Sequence, residues 1–129
     1  MFLINFGYPL ADLQKARIEE LLSHNIGGYF HIPVQFDNDI SFEEQVEKLL
    51  ANSDLPYQEF MTHPLAIILP SHAYIAALIL IEIQARIGRF PAIIRFKPKP
   101  ESLPLEYEVA EVVDLQHLRD TLRKKRSNQ

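Results

Sequence analysis

The segment Pro70-Ser71-His72-Ala73-Tyr74 gathers a hydroxyl, an imidazole and a phenol within four residues. It follows an apolar run and opens a helical pattern. A helix start offers free backbone N–H groups and the positive end of the dipole, both of which favour an anion. Ser71 and His72 can hydrogen-bond a phosphate or a ribose, and Tyr74 can stack on a base. Histidine suits general acid–base work near neutral pH, so His72 is the candidate for that role. The same residues also fit plain structure, because serine is a preferred N-cap and a tyrosine one turn on can be core.

Two more loops carry usable groups. Gly7-Tyr8-Pro9 ends the opening apolar run. A glycine there lets backbone approach a ligand, and Asn5 can orient the turn or reach that ligand. The alternative is a plain turn with a packed tyrosine. Gln35, Asp37 and Asn38 can bind ribose hydroxyls or base edges, or form a solvated loop. Arg95 and Lys97 lie two apart on a strand and so share a face. They can balance phosphate charge or simply end an exposed strand. Arg119, Arg123, Lys124, Lys125 and Arg126 can touch RNA, or complement a helix dipole. No G-x-G-x-x-G, P-loop, H-E-x-x-H or G-x-S-x-G pattern is present, which argues against an NAD enzyme, an NTPase and a zinc hydrolase. His24, His31, His63 and His117 carry no local pattern. The expected cofactor set is therefore empty, with no metal.

These loops need elements to hold them. Phe2 to Phe6 reads as a buried strand. Leu10 to His24 has helical spacing, with Leu10, Leu13, Ile18, Leu21 and Leu22 on a broad apolar stripe. Asn25-Ile26-Gly27-Gly28 is expected to stop that helix. Tyr29 to Phe36 is a second strand, and Ser41 with Glu44 forms a capping-box pattern before Phe42, Val46, Leu49 and Leu50. Ala51 to Pro64 reads as a loop with a turn of helix. Leu65 to Leu69 is a strand buried on both faces. Ser71 to Ile87 is a helix apolar nearly all round, expected deep in the molecule and stopped by Gly88. Pro91 to Lys97 and Leu105 to Val113 are strands, the second at an edge or antiparallel. Asp114 caps a last helix. The order β-α-β-α-β-α-β-β-α predicts an α/β fold, a mostly parallel sheet with helices on both faces. In such a sheet, ligands sit beyond the carboxyl ends of the strands, which these three loops leave.

Size and composition agree. A chain of 129 residues, 47% hydrophobic and 23% charged, makes one domain, here residues 1–126, with a short polar tail at 127–129. With no cysteine, disulfides and thiolate sites are excluded, and a reducing cytoplasm is the expected setting. The net charge of −4 argues against a protein that coats duplex DNA. The opening residues do not read as a signal peptide. Leu65 to Ile81 is too short and interrupted for a membrane span.

Four stretches also carry a family resemblance. They are Met1-Phe2-Leu3-Ile4-Asn5-Phe6 with Pro9-Leu10, Ile32-Pro33-Val34-Gln35-Phe36-Asp37, Gly88-Arg89-Phe90-Pro91-Ala92-Ile93-Ile94-Arg95, and Glu108-Val109-Ala110-Glu111-Val112-Val113-Asp114-Leu115-Gln116. Over nearly its whole length the chain resembles small ancillary proteins of type III CRISPR loci, similar to the CARF-like (CRISPR-associated Rossmann-like) proteins that bind cyclic oligoadenylates. The resemblance implies a cytoplasmic homodimer holding cyclic tetra-adenylate, with a ligand-induced higher assembly open to it. By fold analogy and residue type, the pocket falls on Gly7, Tyr8, Gln35, Asp37, Ser71, His72 and Tyr74. A ring of four nucleotides has two-fold symmetry, which suits matching half-sites. Two activities follow: capture of the messenger, or metal-independent ring cleavage by attack of a ribose 2′-hydroxyl on its neighbouring phosphate. In the second, His72 would be the acid–base group, with Ser71 and Tyr8 orienting the phosphate. A third expectation is an accessory subunit that contacts RNA or protein through the basic last helix.

Overall fold

The computed structural model describes residues 1–128. The elements run β1 (Phe2–Asn5), α1 (Asp12–Leu22), β2 (Gly28–His31), α2 (Phe42–Ala51), α3 (Tyr57–Phe60), β3 (Leu65–Ile68), α4 (Ala73–Ile87), β4 (Ala92–Pro98), β5 (Tyr107–Asp114) and α5 (Leu115–Ser127). The five strands form one sheet in the order β2-β1-β3-β4-β5. The first four strands pair in parallel and β5 pairs antiparallel with β4. This is the expected α/β alternation, Rossmann-like in general, with the one-turn α3 in the stretch expected to hold a turn of helix.

Strand alternation separates two cores. Ile4, Phe6, Leu65 and Ile67 pack with Val46, Leu50, Phe60 and the isoleucines of α4 on one face. Leu3, Ala66, Ile68 and Ile94 pack with Ile18 and Val109 on the other. Every residue of β3 is buried, as its two-sided apolar run demands.

Several local expectations change. α1 ends at Ser23 with a φ of 53°, before the glycines. Gly28 instead opens β2, where an added Cβ would come within 2.7 Å of the Phe2 ring. Leu13 and Leu21 face solvent, because only the turn positions around Ile18 reach the sheet. β2 stops at His31, with the Ile32 N–H still bonding Asn5 O just before Pro33, whose ring fixes the backbone. Ser41 does accept the Glu44 N–H.

The larger correction concerns α4, which is not enclosed. Its buried residues are Ile75, Ile79, Ile83 and Ile87, one stripe spaced by four. Its far side is open, with Tyr74 75% and Ile81 55% exposed. A single sheet layer plus α2 covers only part of a helix's circumference. Gly88, at φ 79°, caps α4 in the left-handed conformation that glycine adopts cheaply. Asp114 caps α5 by accepting the His117 N–H. α5 runs through Ser127, one residue into the expected tail, and Gln129 lies outside the described residues.

Candidate functional site

From β1 the chain turns to β2 on one side, while β3 leads to β4 on the other. That divergence opens a crevice at the carboxyl ends of β1 and β3, where doubly wound sheets bind ligands. Two of the expected loops meet there: Gly7-Tyr8 after β1, and Ser71-His72 before α4. The backbone of Gly7 lies against β3, since an added Cβ would sit 3.4 Å from Ile68 Cγ2 and 3.6 Å from Leu69 O.

Asn5 builds the first wall. It is fully buried, the one buried polar residue among the described residues. Its Nδ2 donates to Tyr8 O at 2.7 Å and to the Tyr29 hydroxyl at 2.9 Å, and its Oδ1 accepts the Gly7 N–H at 2.8 Å. Of the two roles open to it, Asn5 therefore takes the orienting one. His31 adds a strut that its sequence context does not signal: its Nε2 lies 2.9 Å from Gly7 O, so that nitrogen carries the proton. The visible reason is register, because Asn5 and His31 are partners across β1 and β2. The result is a fixed turn that holds Tyr8 out in water, 89% exposed.

The second wall is the start of α4. Ser71 is not its N-cap. The helix begins one residue later than that would need, with His72 as N-cap and no side chain satisfying the first turn. The Ser71 hydroxyl makes no hydrogen bond among the described residues, and Tyr74 lies at the surface rather than in the core. The His72 ring stands edge-on to Phe42 with centroids 5.2 Å apart, and 5.7 Å from the Tyr74 ring. The crevice thus offers unsatisfied N–H donors at the head of a fifteen-residue helix, one hydroxyl, one imidazole and two exposed phenols. These suit a phosphorylated ligand with flat bases.

The third loop is not brought into this group. Gln35 lines a separate groove of about 390 Å³ with Gln45, Lys48 and Asn52 on the flank of α2. The Asp37 carboxylate is engaged in its own turn, accepting the Asp39 N–H, while its backbone N–H and C=O both bond the Gln45 side chain. Arg95 and Lys97 pair across the hairpin with Glu111 and Glu108, so their charge is largely balanced within the sheet. No cluster of three potential metal-ligating side chains occurs among the described residues. No helix there is long and apolar enough to cross a membrane.

The crevice is open. Two grooves lie elsewhere, at α5 and beside Gln35. The wall from Tyr74 continues into the uncovered side of α4, where Ala77, Ile81 and Ala85 are exposed at spacings of three and four and so share a face. Comparison with family models, curated proteins and solved structures found no match.

Proposed function

We propose that the protein is a homodimeric receptor for cyclic tetra-adenylate, a CARF-like protein that captures this messenger and damps type III CRISPR signalling. The observation that carries the proposal is the pairing of an uncapped α4 N-terminus with the exposed rings of Tyr8 and Tyr74 at the β1–β3 divergence. Phosphates match the free N–H groups, and adenines match the phenols. An open half-site beside an apolar helix face supports the dimer. Packing α4 against its copy about a two-fold axis would cover Ile81 and set two copies of the 71–74 segment side by side, as a two-fold ring requires.

Capture is favoured over cleavage by the surroundings of His72. Its ring stands edge-on to Phe42 and tilted beside Tyr74, and neither nitrogen has a hydrogen-bonding group to orient it among the described residues. A general base is normally held by such a group. The test is to mix pure protein, in excess, with labelled cyclic tetra-adenylate and follow it by native gel and ligand chromatography. A shifted, intact ring is the expected result. Linear products with a 2′,3′-cyclic phosphate would instead make the protein a ring nuclease with His72 as first suspect. Absence of both would overturn the proposal.

A further inference from the structure

α5 is the least embedded helix, with no buried residue. Leu115, Leu118 and Leu122 follow one another at spacings of three and four and so lie on one stripe. With Phe90 they line a groove of about 690 Å³, bordered by Arg119, Arg123 and Arg126. Leu118 and Leu122 are 42% and 52% exposed. The helix holds five of the thirteen basic residues and one of the seventeen acidic ones, so it carries +4 against −8 for the rest of the chain. A matching occupant must present an apolar anchor among carboxylates.

One segment of this same chain does so. From Asp37 to Glu47 there are five carboxylates and no basic residue. Ile40, 49% exposed, stands among them. The segment is braced by Gln45, whose side chain bonds Asp37 N, Asp37 O and Ile40 O, so little ordering cost remains on docking. Asp39, Glu43, Glu44 and Glu47 form no ion pair among the described residues, and neither do Arg123 to Arg126. The two surfaces cannot meet within one molecule. The acidic turn lies at the carboxyl end of the sheet, where Phe42 packs on His72. α5 lies at the amino end, where Gln116 accepts the Phe90 N–H.

We infer that the α5 groove receives the Ile40 turn of a second copy, so that molecules join head to tail. The contact is heterologous and repeats into a chain unless its rotation closes a ring. It differs from the two-fold α4 contact and needs no ligand.

Sedimentation of the ligand-free, full-length protein over a wide concentration range, at low and high salt, tests this. Mass above the smallest species should grow with concentration at low salt and collapse at high salt. Arg123→Glu/Arg126→Glu should weaken association by about tenfold or more. Glu43→Lys/Glu47→Lys should do the same, and mixing the two variants should restore growth, since each groove then faces a turn of opposite charge. All four positions are exposed, and matching melting curves show that the variants fold. A fixed mass at every salt, growth untouched by the α5 variant, or no restoration on mixing would each overturn the inference. A single-stranded RNA probe held by α5 without growth would do so as well.

Discussion

Asn5 offers the sharpest test of how the site is built. Its side chain makes three hydrogen bonds from a fully buried position. Each contributes about 1 kcal/mol net, and groups left unpaired in a partly buried place cost more, so Asn5→Ala should lose about 3–4 kcal/mol. That is a large share of a total of about 5–15 kcal/mol, yet it leaves the protein folded in the cold. Asn5→Asp separates the roles of the two ends of the amide. It keeps an acceptor for Gly7 N–H but turns an oxygen toward Tyr8 O, and it buries a charge. Burial would raise that carboxyl's pKa, so the extra penalty is present at neutral pH and fades as pH falls through the raised value. Urea unfolding at neutral and acid pH gives both numbers. A loss under about 1 kcal/mol for Asn5→Ala would refute the claim that this amide holds the Gly7–Tyr8 turn.

Tyr8→Ala and Tyr74→Ala should each weaken binding of cyclic tetra-adenylate by about 1–3 kcal/mol in a titration. Neither should move the melting temperature much, because both rings are exposed. Ile81→Glu should convert dimer to monomer in sedimentation at high salt, where the α5 contact is screened, without loss of stability, whereas Ile79→Ala, on the buried stripe, should cost about 2–5 kcal/mol in urea unfolding. Burial pushes the Tyr57 phenol above its ordinary 10.0, with Arg86 opposing and Glu82 adding to the shift. The unfolded chain therefore releases this proton first, and its contribution to stability is constant below pH 10.0 and declines above it. Tyr57→Phe should remove that alkaline decline, read by chemical unfolding at a series of pH values.

The alternation of elements was legible because it is written in local patterns. The Leu65 to Ile68 run reads as a two-sided strand and is one. Gly88 and Asp114 cap the helices beside them, since a cap depends only on neighbours a few residues away. The three carboxyl-end loops followed from that alternation, and Ser71, His72, Tyr74, Gly7 and Tyr8 stand on two of them.

What local patterns do not contain is which strand lies beside which. The order β2-β1-β3 brings Tyr29 and His31 to Asn5 and Gly7. These contacts join residues 24 positions apart, and no periodicity encodes them. The same non-local packing paired Arg95 and Lys97 with acids on β5, whereas Asp37 is held by its own turn, through the N–H of Asp39 two residues on. Apolar content alone made α4 a core helix, yet one sheet layer can cover only one of its stripes. Composition decided that isoleucines would be buried there, and tertiary packing decided which ones. The fold class and the site's loops are thus properties of the sequence, because short-range sterics and amphipathic spacing set them. The wall of the site and the open helix beside it belong to tertiary structure, because only strand pairing brings distant residues within hydrogen-bond reach.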